Sequence, residues 1–150
     1  MKRPSLSFVF LALLGAGLLQ AEPPDGGYKP EIKVSPLLRT TTTSAGQPLS
    51  YPQTDHPEVT AIFVEIPPGA ETGWHKHPFH CFAYILSGRL EVEVENGQTN
   101  HLVAGQAMAE SINLLHNGRN KGTEPVTLVM FVMGETNQPF TKQAAPGPKD

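Results

Sequence analysis

The stretch "GWHKHPFHC" (residues 73–81) holds three of the six histidines of this 150-residue chain and its only cysteine. Alternate side chains of an extended strand share one face, so His75 and His77 point the same way. Cys81 shares that face provided that the strand stays regular, whereas His80 points to the opposite one. Two imidazoles at this spacing can both reach one metal ion at about 2.1 Å. The stretch therefore predicts part of a metal site.

The surrounding segments have the two-residue period of strands. "RLEVEVENG" (89–97) alternates apolar and charged residues, and its final Asn96-Gly97 predicts a tight hairpin turn. "PVTLVMFVMG" (125–134) is apolar on both faces, which is typical of a central strand packed on two sides. The 15 prolines and 14 glycines favour many short strands joined by turns. We predict a single all-β domain of the sandwich or barrel type.

A third imidazole must come from elsewhere in the chain, and His116 is the candidate. Two segments then resemble the two motifs of the cupin superfamily. The first motif is Gly, five residues, His-X-His, three or four residues, Glu, six residues, Gly. This sequence has that spacing, with Cys81 in the place of the family's glutamate; the matching residues are Gly69, His75, His77, Cys81 and Gly88.

The second cupin motif is Gly, five residues, Pro-X-Gly, two residues, His, three residues, Asn. Gly105, His116 and Asn120 stand at the matching positions. Ser111 and Asn113 replace the family's Pro and Gly in a turn, and Asn tolerates the left-handed conformation that such a turn requires. The resemblance covers residues 59–134.

The resemblance implies a jelly-roll barrel, or double-stranded β-helix, that often dimerises and holds a metal inside. The ligands would be His75, His77 and His116, around one divalent transition metal: Fe, Zn, Mn, Cu or Ni. Three imidazoles with an open position form a catalytic type of site rather than a closed structural one. Cys81 is either a fourth, thiolate ligand or a small buried residue in the wall of the site.

Several polar and aromatic residues near these motifs are expected to have other roles. His80 is expected near the rim or an interface, and His56 and His101 in solvent. Asn120 either bonds a backbone turn, the expected role, or orients His116. The aromatic side chains of Phe82 and Tyr84 should lie on the strand face opposite Cys81, where a sheet or subunit contact would cover them.

Residues 1–21 have the pattern of a secretory signal, with a basic start, an apolar run from Leu6 to Leu19 and a cut after Ala21. The apolar run is shorter than the roughly 20 residues needed to span a bilayer. We expect an exported protein of the periplasm or extracellular space, without a stable membrane anchor after cleavage. The expected divisions are a signal peptide (1–21), a leader with an N-terminal strand or loop (22–58), the barrel core (59–134) and a C-terminal tail (135–150).

Three classes of function fit this sequence. One is an enzyme, with a dioxygenase-type oxidoreductase favoured because cupins include many three-histidine oxygenases; another is a module that binds a metal or small molecule without turnover. In the third, the metal only holds the barrel together. No catalytic residue is assigned, and Glu110 is the nearest, weak candidate for a general base. A thiol dioxygenase of the kind in which Cys is cross-linked to a later Tyr is disfavoured, because no Tyr follows His116. The net charge of −3 argues against nucleic acid, and a homodimer is suggested by the apolar strand and by family habit.

Overall fold

We describe the protein from a computed structural model, which covers residues 28–29 and 31–144. The predicted signal segment, residues 1–21, lies outside these described residues. Within them, no helix is both long enough and apolar enough to traverse a lipid bilayer.

The chain divides into two compact units, Met1–Ser35 and Pro36–Asp150. The described part of the first unit is a short turn, in which the amide of Ile32 donates a hydrogen bond of 2.9 Å to the carbonyl of Lys29. All of the strands found in residues 28–29 and 31–144 lie in the second unit.

The second unit consists of antiparallel strands in two sheets, so the all-β prediction is confirmed. One sheet has the strand order β1-β8-β3-β6 and the other β5-β4-β7-β2-β9. The strands in the described residues are β1 Pro57–Ile66, β2 His75–Lys76, β3 His80–Ser87, β4 Arg89–Val94, β5 Thr99–Val103, β6 Ala107–Ala109, β7 His116–Arg119, β8 Val126–Glu135 and β9 Lys142–Gln143.

The core lies between the two sheets and is made by alternate residues of the strands. Strand β3 buries Cys81, Ala83 and Ile85, while its intervening residues Phe82 and Tyr84 point outward and stay half-buried. The opposite orientation of these aromatic side chains was predicted from the period of two. The remaining buried core residues are Ile66, Leu90, Val92, Leu102, Met108, Val126, Leu128, Met130 and Val132.

Strand β8 is central in its sheet, paired with β1 on one side and β3 on the other. Its inward face is buried, as predicted, but its outward face is only partly covered in the single chain. Phe131 is 47% exposed, and Val59 and Phe63 on the outer face of β1 are 61% and 63% exposed. We call these three residues, with Phe82 and Tyr84, the outer apolar face.

Two glycines make the turns at the ends of β4. Gly97 has φ of 88° and closes the predicted hairpin to β5, donating its amide to Val94 O at 2.9 Å. Gly88 has φ of 79° and joins β3 to β4, the point where the chain passes from one sheet to the other. Both conformations lie in the left-handed region, which favours glycine.

The segment after residue 134 contributes to the fold. Strand β8 ends at Glu135, and β9 pairs with β2, with His75 opposite Gln143 and Lys76 opposite Lys142. This part of the expected tail therefore forms one edge of the five-stranded sheet.

Candidate metal centre

The three predicted histidines come together at one end of the space between the sheets. The pairing of β2 with β7 places His75 directly opposite His116, and His77 follows β2 on the same side. Their ring centroids are 4.5 to 5.1 Å apart. Each ring offers a nitrogen within 4.8 Å of those of the other two.

A backbone carbonyl fixes the orientation of each imidazole. Nδ1 of His75 donates to Gly73 O at 2.7 Å, Nδ1 of His77 to Phe140 O at 2.8 Å, and Nδ1 of His116 to Leu114 O at 3.0 Å. Because a carbonyl oxygen can only accept, each Nδ1 carries a hydrogen. In the neutral form of each ring, Nε2 is then the atom with a free lone pair. This is the arrangement in which metal-binding histidines are held.

One nitrogen of this cluster has no protein partner. Nε2 of His116 is buried and makes no hydrogen bond, and its nearest carboxylate oxygen, on Glu110, is 3.6 Å away. A buried polar atom without a partner is costly. A cation bound between the three rings would satisfy it, so the residues present fit a metal ion.

Glu110 brings a carboxylate to the same point. It follows β6, which pairs with β3, and its amide donates to Cys81 O at 2.9 Å. Its Oε2 lies 3.0 Å from Nε2 of His77. From the sequence, Glu110 is only a weak candidate for a general base, and its position beside the histidines was not predicted.

The charges of this cluster depend on burial and on one another. Burial lowers the pKa of His75. Burial also acts to lower the pKa of His77, but the hydrogen bond and the charge of Glu110 outweigh it, so the pKa of His77 is raised. Burial would raise the pKa of Glu110, yet the neighbouring imidazoles of His116 and His77 hold it well below its usual range. The contacts with these imidazoles therefore favour the charged form of the Glu110 carboxylate.

Cys81 lies beside the cluster, with its sulfur within 4.8 Å of donor atoms of His77 and Glu110. Its side chain is buried at 1% exposure, and its thiol donates to Phe79 O at 3.6 Å. Burial first, and then the charge of Glu110, raises the pKa of this thiol far above its ordinary value. In the metal-free protein Cys81 is a protonated thiol in the wall of the site.

A cavity of about 220 Å³ adjoins the histidines. Apolar side chains of both sheets form most of its wall. The residues that contribute to it are Ile62, Val64, Ile66, Thr72, His75, His77, Leu90, Val92, Glu110, His116, Gly118, Leu128, Met130, Phe140, Thr141 and Gln143.

The C-terminal segment completes this cavity. Phe140 and Gln143 line it, and the hydroxyl of Thr141 lies 3.3 Å from Nδ1 of His77. The amide of Ala144 donates to Trp74 O at 2.9 Å, which holds the segment beside β2.

The other polar residues lie away from the histidine cluster, as expected, although His80 is buried inside the chain rather than placed at a rim or interface. His80 is buried on the face away from the histidine cluster, where its Nε2 accepts from the amide of Ser50 at 3.2 Å. His56 and His101 are exposed. Asn120 has a structural role: its Nδ2 donates to Ile66 O and Glu124 O, both at 2.8 Å.

The turn before His116 also behaves as predicted. Asn113 has φ of 57°, the left-handed conformation, and its amide donates to His77 O at 2.8 Å. The replacement of the motif's glycine by asparagine therefore preserves the turn.

Comparison with known proteins agrees with this architecture. Residues 62–132 match the family described as "Cupin domain". The β-alanine degradation protein BauB of Pseudomonas aeruginosa is 34% identical over 89 residues, which are 57% of this chain and 94% of that protein. The chain belongs to the cupin family.

Other relatives match this cupin over a smaller share of their length or by fold. Polyketide synthase CurC of Streptomyces cyaneus is 38% identical over 66 residues, 43% of this chain, and the match spans 42% of CurC. A protein with a double-stranded β-helix domain from Klebsiella pneumoniae has a TM-score of 0.51 and 24% identity, covering 63% of this chain and 89% of that one. The latter shows the shared fold.

Proposed function

We propose that this cupin binds one divalent transition metal through Nε2 of His75, His77 and His116, and that a small molecule binds beside the ion. The observation that carries the proposal is the set of three Nδ1–H groups held by backbone carbonyls, which leaves three Nε2 atoms for one ion. The buried, unpartnered Nε2 of His116 supports it independently.

Glu110, rather than Cys81, is proposed as the fourth ligand. Its carboxylate is already charged and lies 3.0 Å and 3.6 Å from two of the histidine nitrogens. The thiol of Cys81 would first have to lose a proton that its apolar surroundings retain. Three imidazoles and a carboxylate suit iron, manganese, nickel or zinc better than copper(I), the soft ion that a thiolate ligand would favour.

We propose an oxygenase-type reaction on the small molecule. When bound, the ion would supply Lewis-acid and redox chemistry at its open position. The only carboxylate that lines the cavity in the described residues is that of Glu110. If this group holds the ion, no separate carboxylate remains as a general base, and this disfavours isomerase or hydrolase chemistry. The chain's own groups would orient the substrate and exclude water from it.

Metal analysis of purified protein tests the site. We expect about one ion per chain in the wild type and a large loss in the His75→Ala and His116→Ala variants. His56→Ala and His101→Ala are matched controls, because these two histidines are exposed and away from the cavity. Equal, substoichiometric metal in all five proteins would refute the proposal.

Oxygen uptake tests the reaction class. Iron-loaded protein is mixed with phenols, thiols and keto acids in turn, and substrate-dependent oxygen consumption is expected for one of these classes. Saturable binding of a panel member without oxygen consumption would support the other candidate, a binding module without turnover.

Export and dimerisation are also proposed. The basic and apolar pattern of residues 1–21 supports export to the periplasm or extracellular space, and the outer apolar face supports a homodimer. Amino-terminal sequencing of the protein from its native compartment should find the chain starting after Ala21. A start at Met1 in that material would contradict signal cleavage.

A further inference from the structure

We propose that the cavity selects a monoanionic oxygen ligand with an uncharged apolar body, such as a monocarboxylate, and rejects dicarboxylates of similar length. This inference rests on the proposed metal site and deepens it. The observation that supports it is the lining of the cavity, which is polar at the histidine cluster and Glu110 and apolar along most of the remaining wall.

The apolar wall comes from both sheets. Ile62 and Val64 of β1 and Met130 of β8 line it from the four-stranded sheet, and Leu90 and Val92 of β4 line it from the five-stranded sheet. Burying a ligand's methylene group against such a wall is worth about 0.8 kcal/mol. The wall therefore favours a hydrocarbon body over a polar one.

The charges of the proposed ion and its ligands, at the polar end of the cavity, favour a small molecule with one anionic donor group. Three neutral imidazoles, a divalent ion and the Glu110 carboxylate carry a net charge of about +1. One carboxylate of the ligand would neutralise this charge. A second carboxylate would have to be buried without a counter-charge, which is strongly unfavourable.

Among the residues that the structure describes, no basic side chain is placed to receive that second carboxylate. In the described part of the chain, neither Lys nor Arg lines the cavity. Lys142 lies between two lining residues of the C-terminal segment but is exposed. Arg119, on β7, instead contacts Glu71 and Glu93 at 3.3 and 3.2 Å.

The cavity is also small. Its volume of about 220 Å³ lies below the roughly 300–1,000 Å³ of sites that take drug-sized ligands. Phe140 and Gln143 line it on the side of the C-terminal segment. A ligand of a few carbon atoms beyond its donor group would fill the space.

The test uses the cobalt(II)-loaded protein and follows its visible absorption spectrum during titration. The probes are acetate, propionate, butyrate and hexanoate, compared with malonate and succinate. We expect the dissociation constant to fall about fourfold per added methylene until the cavity is full. The dicarboxylates should bind at least about tenfold more weakly than monocarboxylates of the same length.

Two variants of β1 make the test specific. Ile62→Ala enlarges the cavity, and the preferred monocarboxylate should become longer by one or two carbons. Val59→Ala, on the outer side of the same strand, should leave the series unchanged. The melting temperature of each variant, with cobalt, confirms that it is folded.

The outcomes separate this inference from the metal site itself. If cobalt does not bind stoichiometrically, the proposed metal site is wrong, and the inference falls with it. If cobalt binds but affinity does not depend on chain length, or succinate binds as tightly as butyrate, the inference is wrong and the metal site stands.

Discussion

Glu110 and Cys81 are neighbours where β6 pairs with β3, and the fourth ligand that we propose is the residue at position 110 rather than the one at the motif's position 81. The motif places a carboxylate at position 81, where this chain has a buried thiol. The adjacent segment supplies a carboxylate instead, since Glu110 bonds the backbone of Cys81 and reaches His77. In this proposal the carboxylate of the site comes from the residue after β6 instead of from β3.

A pair of substitutions tests which of these two side chains binds the metal. Glu110→Gln keeps the shape of the side chain but removes its charge, so the dissociation constant for zinc or iron(II) should rise by at least the roughly 10–100-fold found when the partners that hold metal ligands are removed. Isothermal titration of the metal-free protein measures it.

Cys81→Ala is the matched control. It should keep the metal affinity within about threefold of wild type and cost about 1 kcal/mol of unfolding free energy through lost packing. A loss of affinity as large as that of Glu110→Gln would instead identify the thiol as a ligand.

The sequence predicts that the three histidines lie together, but it does not predict that the Glu110 carboxylate joins them. His75 and His77 are close in the chain, and their spacing alone puts them on one face; His116 follows from the second motif. Glu110 approaches them only because β6 pairs with β3 in a register that places Ala109 opposite Phe82. That register depends on packing between distant segments, and no local pattern encodes it.

The short C-terminal strand β9 connects the end of the described chain to the metal centre. Its position could not be predicted, because two residues of pairing leave no recognisable period and the segment is rich in turn-forming residues. The preceding Phe140 carbonyl holds His77, so this segment contributes both to the sheet and to the orientation of that imidazole.

Truncation tests this contribution. A chain that ends at Gln138 loses the partner of Nδ1 of His77 and one wall of the cavity, so its metal dissociation constant should rise roughly 10–100-fold. A chain that ends at Ala144 keeps both and serves as the control. Equal affinity of the two truncated chains, measured by titration, would show that β9 does not support the site.

The turns at the two ends of β4 differ in how tightly they are packed. A Cβ on Gly97 would meet nothing within 4 Å, whereas one on Gly88 would lie 2.8 Å from Pro125 O and 2.9 Å from Cγ2 of Val126. Gly97→Ala should therefore cost only the left-handed strain, about 1–2 kcal/mol.

Gly88→Ala should cost a further 1–3 kcal/mol or so, because the added methyl group overpacks the crossing between the sheets. Urea unfolding of both variants measures the difference. Equal midpoints would mean that the chain near Pro125 moves aside at little cost.

At the scale of the whole molecule, the outer apolar face stands out because much of it is exposed in the single chain. Contiguous apolar patches of this kind often mark an interface. The two-sided apolar pattern of β8 was evident in the sequence, but the sequence did not show which of its faces would remain open.

Introduction of a charge into that face tests the proposed homodimer. Phe131→Glu buries a charge in the contact and should convert a dimer to a monomer in analytical ultracentrifugation, without changing metal content. Ala104→Glu adds the same charge in the exposed β5–β6 loop and should leave the dimer intact. A wild-type chain that sediments as a monomer at tens of micromolar would contradict the proposal.

The pairing of β1 with β8, from Pro57 opposite Glu135 to Ile66 opposite Val126, has a consequence for biosynthesis. The two paired strands are separated in sequence by most of the domain, and closing a loop of that length delays folding. Until β8 has been synthesised, β1 and β3 lack the strand that lies between them. Their unpaired backbone groups can then form hydrogen bonds with strands of other chains. A nascent or prematurely terminated product is therefore vulnerable to aggregation, and holding it unfolded until the last long strand emerges would protect it.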